Sequence, residues 1–231
     1  MLTEKRKDWD SDFFGYEIYG IRVDAFSKED LISTLDELKA KNVKLVYCIC
    51  NGEIKVEEIG GKLADIKLIY SKQLNKEIDQ VTQIRSYAMH ESYKNLLSLS
   101  YASGEYSRFK LDENFANKEF ERLYEEWIKN SVSRNIADEV LVYYEGHGIH
   151  GMVTVSFQDD VAKIGLISVA EGHRGKNIGG QLLKATEREA VKNNCNRLNV
   201  ATQKQNSRAC NFYEKNGYSV ATTEYIYHFW L

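Results

Sequence analysis

Apolar residues recur along this chain at two periods, and the switching between them marks out strands and helices. Leu31, Leu35 and Leu38 fall on one helical face, behind a Ser27 suited to cap the first turn. Glu29 and Asp30 stand in that first turn, where the helix dipole favours acid. On either side, Phe13 to Asp24 and Val43 to Cys50 are rich in aromatic and β-branched residues and read as strands. Asn51-Gly52 turns the chain into a short helix ending near Gly60-Gly61, and Ala64 to Ser71 forms a third strand. The charged stretch Lys72 to Gln80 reads as the junction between an amino-terminal βαβαβ domain, 1–79, and a second domain, 80–231.

The second domain opens with a strand, Val81 to Ala88, a helix from about His90 to Ala102, and a polar loop, Ser103 to Asn114. The helix Phe115 to Val132 carries Ala116, Phe120, Leu123, Tyr124, Trp127 and Ile128 at the offsets of one face. Val140 to Glu145, Ile149 to Phe157 and Val161 to Val169 follow as strands. Gly146-His147-Gly148 and Gln158-Asp159-Asp160 join them, links short enough for antiparallel hairpins. A helix at Lys176 to Asn193, a strand at Arg197 to Thr202, a helix at Asn206 to Asn216 and a strand pair from Tyr218 to Trp230 complete the chain. The fold class is mixed αβ, with antiparallel strands first and a β-α-β-α-β ending.

Composition narrows the function. Across 231 residues, 43% are hydrophobic and 28% charged, the mixture of a globular protein with a real core. The net charge of -3 disfavours a partner held through nucleic-acid phosphates, so any anionic ligand must be met by local donors. The longest apolar run, Leu45 to Cys50, is too short to span a bilayer, and no export or anchoring segment is legible near Met1, which predicts a cytoplasmic protein. The four cysteines, Cys48, Cys50, Cys195 and Cys210, lack metal-ligand spacing and read as reduced thiols; no metal is expected. Proline is absent, leaving turn punctuation to Gly and Asn.

Two stretches carry candidate chemistry. In Ser168-Val169-Ala170-Glu171-Gly172-His173-Arg174-Gly175-Lys176-Asn177-Ile178-Gly179-Gly180 a strand runs into a turn and a helix starts at once. Backbone N–H groups at such a junction converge, and the helix terminus adds partial positive charge, an arrangement that holds a pyrophosphate. Arg174 and Lys176 add donors at the rim. Alone, such a turn need bind nothing. The spacing excludes a dinucleotide fingerprint, and the Walker pattern is absent. In the second stretch, Asn206 to Tyr218, Asn206 caps a short helix that Gly217 closes; Ala209, Phe212 and Tyr213 share one side. Phe212 fits a core position, and Tyr213 by itself fits one equally well.

Read together, the order strand-loop-helix-strand-helix resembles the GCN5-related N-acetyltransferases, over about Val81 to Leu231 and most strongly over Lys163 to Tyr218. The loop at Arg174 to Gly180 is similar to that superfamily's pyrophosphate loop, with Asn177 where its first Gly is usual. Asn tolerates left-handed backbone better than most residues, so the loop should survive. One branch is more similar still, the TDP-fucosamine acetyltransferases that act on a TDP-linked 4-amino-4,6-dideoxygalactose. The residues that carry this are Asp8 to Gly15, Ser107-Arg108-Phe109, Trp127 to Val132, Lys163 to Leu166, Val200 to Gln203 with Asn206, and Tyr225 to Trp230.

The resemblance implies acetyl-CoA as co-substrate and direct transfer to an amine. Backbone groups of Ile167, Ser168 and Val169 would bind the pantetheine as if it were a strand, with the Val169 N–H polarising the thioester oxygen. Arg174, Gly175, Lys176, Asn177, Ile178, Gly179 and Gly180 would hold the pyrophosphate, and Asn206 would hydrogen-bond the pantetheine. Tyr213 would be the general acid for the CoA sulfur. For the amino-sugar nucleotide the candidates are Arg108 and Phe14, each balanced against a solvated-loop or core role. No single carboxylate stands out as the base. Other amines as acceptor, and a non-catalytic acyl-CoA-binding protein, are the competing readings. The aromatic tail Tyr225 to Trp230 is a candidate strand for pairing across a homodimer.

Overall fold

The structure, a computed structural model, describes residues 2–75, 83–88, 92–146 and 148–231. Met1, the end of the expected junction, Val81, the His90 helix start and His147 lie outside them. Two compact units emerge: 1–68 with 203–205 and 222–231, and 69–202 with 206–221.

In the first unit, β1 (Leu2–Arg6) runs antiparallel to β2 (Ile18–Val23), which is parallel to β3 (Leu45–Cys50). Between β2 and β3 lies α2 (Lys28–Ala40), after α1 (Asp8–Phe14). The Ser27 hydroxyl accepts from the Asp30 N–H at 3.2 Å, the expected cap. Leu31, Leu35 and Leu38 are buried against Ile21, Val46 and Cys48, together with Tyr227 and Phe229 from the last strand. Three expectations are corrected. Residues 13–24 are not one strand, because α1 occupies their start: Asp8 and Asp10 stand in its first turn, and Gly15, at φ 80°, ends it. The helix expected near Gly60 is a single 3₁₀ turn, Glu57–Ile59, before β4 (Gly61–Gln73). The terminal strand pair is one strand, β10 (Ser219–Trp230), antiparallel to β3 from Tyr225 onward; no Gly, Pro or Asn interrupts it to turn the chain.

In the second unit, β5 (Ile84–Ser86), β6 (Glu139–Glu145), β7 (Gly148–Gln158) and β8 (Val161–Val169) form an antiparallel meander, and β9 (Arg197–Gln203) joins β8 in parallel. Helices α3 (Tyr93–Ser103) and α5 (Glu119–Val132) pack together, and α3 rests on β7 and β8. The polar loop after α3 contains one helical turn, α4 (Arg108–Leu111), and α5 starts at Glu119 rather than Phe115. Then come α6 (Ile178–Lys192) and α7 (Ser207–Lys215). Both units are mixed αβ, with mostly antiparallel strand pairings and helices packed beside them.

Candidate active site

The site is organised by an irregularity in β8. Its register against β7 slips by one residue between Val153 and Val155, so Gly165 and Leu166 together oppose Thr154. The Thr154 hydroxyl accepts the Leu166 N–H at 2.9 Å, satisfying the amide that the bulge takes out of the ladder. A side chain at Gly165 would press a Cβ to 2.9 Å from that hydroxyl, which accounts for glycine here. On its other edge, β8 is in register with β9 only from Val161 to Ile164. Beyond Ile164 the two strands part, and Ile167, Ser168 and Val169 lie past the fork. The Ser168 hydroxyl donates to the Leu99 carbonyl at 2.7 Å, tying this stretch to α3.

Past β8 the chain makes a 3₁₀ turn, Glu171–His173, and Arg174 donates from Nε to the Val169 carbonyl at 3.2 Å. Gly175 takes φ 82° and Asn177 φ 59°, so the two positive-φ positions bracket Lys176. Asn177 caps α6 in left-handed backbone, as the sequence predicts for a residue standing in place of glycine. The first intrahelical bond is Gln181 N–H to the Asn177 carbonyl, at 3.1 Å, which leaves the amides of Ile178, Gly179 and Gly180 as the helix's outward donors. A Cβ at Gly180 would collide with the Asn177 side-chain oxygen, and one at Gly179 would reach 3.2 Å from the Phe212 ring. Small residues at both positions therefore keep the Asn177 side chain and α7 close to this terminus.

On α7, Asn206 Oδ1 accepts from the Ala209 N–H at 3.1 Å, so the cap uses the oxygen and leaves the amide NH₂ as a donor. Tyr213 is buried, 3% exposed, among Phe212, Tyr70 and Tyr218, whose ring centroids lie 5.3, 5.5 and 6.0 Å away. Burial, with Cys210 acting in the same direction, pushes its phenol well above the ordinary tyrosine range, so it is protonated at neutral pH, as a proton donor must be. Tyr70 donates to Glu214 at 2.8 Å, and Tyr218 donates to Glu187 at 2.9 Å; burial raises both of these phenols too.

A pH dependence follows. These three phenols keep protons in the folded chain that the unfolded chain releases near pH ~10. Their contribution to stability is fully present below that pH and declines as pH rises further. Urea midpoints measured from pH 8 to 11 should fall, the buried Cys48 thiol, pushed up to about 12, beginning the decline and the phenols steepening it above pH ~10. Tyr213→Phe with Tyr218→Phe should flatten the fall, and an unchanged slope in the double variant would refute the assignment.

A cavity of about 740 Å³ opens on the α3 side of the sheet, where Lys94, Asn95, Tyr101, Lys110, His150 and Arg174 are among its lining residues. Of the two expected acceptor residues, neither lines it. Arg108 lies with its guanidinium 4.4 Å over the Phe109 ring, and Phe14 is buried in the first unit, 6.0 Å from Tyr16 in a stacked pair. Lys94, Asn95, Lys110 and His150 are not among the residues expected from the sequence. The one signal for His150 was its place on β7 beside Gly151, whose missing side chain makes room for Ile178 on the other face of the sheet. Among the described residues, no cluster of His, Cys, Asp and Glu is arranged to hold a metal, and no helix is long and apolar enough to cross a membrane.

A forked strand thus feeds a glycine-rich turn into a helix N-terminus. The Acetyltransferase (GNAT) family model matches residues 101–218. The chain belongs to the GNAT family, whose members draw their acetyl group from acetyl-CoA. Among curated proteins it is similar to the spore coat polysaccharide biosynthesis protein SpsD of Bacillus subtilis (strain 168), 26% identical over 124 residues, which are 54% of this chain and 43% of SpsD. The chain thus spans less than half the length of that relative. Among solved structures it resembles a functionally unknown conserved protein from Staphylococcus epidermidis, with a TM-score of 0.69, 13% identity and coverage of 93% of this chain and 84% of the other. It also resembles a tandem GNAT protein from the clavulanic acid biosynthesis pathway, at a TM-score of 0.54, 11% identity, and coverage of 90% and 74%. At those identities the likeness concerns the fold.

Proposed function

We propose that this chain transfers the acetyl group of acetyl-CoA directly to the 4-amine of a nucleotide-linked 4-amino-4,6-dideoxy sugar, of the dTDP-linked galactose type. The observation that carries the acyl half is the fork after Ile164 together with the turn Arg174 to Gly180 and the buried, protonated Tyr213. The pantetheine lies along Ile167 to Val169 as an added strand, with the Val169 N–H on the thioester oxygen. The pyrophosphate rests on the Arg174, Gly175, Lys176 and Asn177 turn and the amides of Ile178 to Gly180. Asn206 binds the pantetheine and Tyr213 protonates the departing thiolate. Residues 1–79 act, in this reading, as a truncated GNAT-like domain preceding the catalytic one.

The acceptor half rests on the cavity. Its volume of about 740 Å³ suits a ligand of nucleotide-sugar size. Lys94 and Lys110 on its wall supply charge for a diphosphate. A relative named for polysaccharide biosynthesis accords with a sugar acceptor. Lys110 is better placed than Arg108 for this role, since it stands on the cavity wall.

The test is thiol release from acetyl-CoA with dTDP-4-amino-4,6-dideoxygalactose, set against other amino-sugar nucleotides, aminoglycosides and peptide amines. The sugar nucleotide should give the highest kcat/KM, and a higher value for any other amine class would overturn the acceptor reading. Lys110→Ala should raise KM for the sugar nucleotide by about 10-fold, the scale of one lost charge-assisted hydrogen bond, and leave KM for acetyl-CoA alone. Equal shifts in both would remove Lys110 from the acceptor side.

A further inference from the structure

The mechanism above has an acid and no base. An amine that arrives as ammonium must lose a proton before its lone pair can attack a thioester. The residue that meets this need stands on the cavity wall. His150, on β7, stacks face to face on His173 of the 3₁₀ turn after β8, with ring centroids 3.7 Å apart and planes 11° from parallel. His150 Nε2 lies 3.2 Å from the Glu145 carbonyl oxygen. A carbonyl oxygen only accepts, so Nε2 carries the proton and Nδ1 is the basic nitrogen. Its Nε2–Cε1 edge also faces the hairpin backbone, since a Cβ at Gly148 would reach 3.1 Å from Cε1. The His173 Nε2 stands 3.8 Å from the Glu145 carboxylate, which can receive an imidazolium.

We propose that the stacked His150–His173 pair is the base that takes the proton from the acceptor amine. This rests on the cavity's being the acceptor site. Two parallel imidazoles at this distance hold one proton between them readily and two only at a cost, so the pair can accept the amine's proton once. Burial, His150 and Lys176 each push His173 below the ordinary histidine range, and Glu145 pulls the other way. The remaining charged groups on the cavity wall are Lys94, Lys110 and Arg174 on the basic side and Glu105 and Glu171 on the acidic side.

Ammonium gives one proton to the imidazole pair, and the freed lone pair forms the N–C bond as the C–S bond breaks. The thiolate takes the Tyr213 proton, the phenolate regains one as the nitrogen becomes an amide, and the imidazolium proton leaves to solvent. Neither histidine is needed to hold CoA.

The experiment is the pH dependence of kcat/KM for dTDP-4-amino-4,6-dideoxygalactose at saturating acetyl-CoA, in wild type, His150→Gln and His173→Phe. Wild type should show an acid limb below the ordinary histidine value of about 6.5. In His150→Gln only amine that is already neutral can react. Its limb should therefore move up to the amine's own ionisation, with a loss of about 10²-fold at pH 7, a recovery toward wild type at high pH and an unchanged Kd for acetyl-CoA. His173→Phe keeps the stacking and should displace the limb. A wild-type limb in either folded variant overturns the proposal. Should wild type leave that sugar nucleotide untouched, the acceptor reading has failed by itself. Proton NMR of the two imidazole Cε1–H signals, which needs no acceptor, then decides the pair. Coupled titration that becomes a single step in His150→Gln supports it, and two independent titrations near the ordinary value refute it.

Discussion

Tyr213→Phe is expected to lower kcat by about 10²-fold, the lower end for general acid catalysis, while the Kd for acetyl-CoA stays within about twofold. Tyr213 is 3% exposed and its ring is gripped by Phe212, Tyr70 and Tyr218, so the phenylalanine ring fills the same space and only the hydroxyl is lost. Burial also holds the phenol protonated at working pH, so the lost group is a donor throughout the neutral range. Steady-state kinetics and calorimetry on the purified variant separate the two quantities. Unaltered kcat would take the acid role from Tyr213. A large loss of acetyl-CoA affinity would assign it to packing of the binding surface.

Glu187→Ala is expected to be the most destabilising of the changes considered, by about 2–3 kcal/mol at pH 7, or some 5–10 °C in Tm. The Glu187 side chain, 8% exposed on α6, accepts from Lys72 Nζ at 2.7 Å and from the Tyr218 hydroxyl at 2.9 Å through the same oxygen. Truncation strands a buried hydroxyl and a largely covered ammonium without an acceptor. The half-open position of Lys72, 28% exposed, keeps the cost from being larger. Glu187→Gln retains an oxygen in place and should lose no more than about 1 kcal/mol. Chemical denaturation of both variants checks this, and equal losses would show that the amide oxygen does not stand in for the carboxylate, so that its charge carries the whole effect. Because Tyr218 also touches the Tyr213 ring, Glu187→Ala should lower kcat as well, by less than Tyr213→Phe does.

Much of the second unit was legible because its signals are local. The β7 and β8 hairpins, α6 and α7 follow from alternation, from 3.6-residue periodicity and from Asn and Gly at the helix ends, and all need only neighbours in sequence. The left-handed backbone of Asn177 was predictable from residue type, since few other side chains adopt it. The first unit was harder. The segment Asp8 to Phe14 has strand-like aromatics, yet it is helical because its first turn is acidic and Gly15 supplies the left-handed stop. The charged Leu2 to Arg6 becomes a strand only through pairing with Ile18 to Val23. The carboxy-terminal residues 222–231 group with 1–68 through β3, a pairing between segments more than 170 residues apart that no local pattern announces.

The feature that most nearly identifies this protein, the run from Lys163 to Tyr218, divides in the same way. The sequence by itself determined the order of its elements, the turn chemistry at Gly175 and Asn177, the cap at Asn206 and the presence of a tyrosine on α7, because each depends on residue type and spacing along the chain. Only the tertiary structure decided that β8 leaves β9 after Ile164, since a fork is a failure of pairing between strands and has no composition of its own. It also brought His150 against His173 and Lys110 onto the cavity wall, and it left Arg108 over Phe109. Those outcomes turn on which faces of distant elements meet, and that is settled by packing across the sheet.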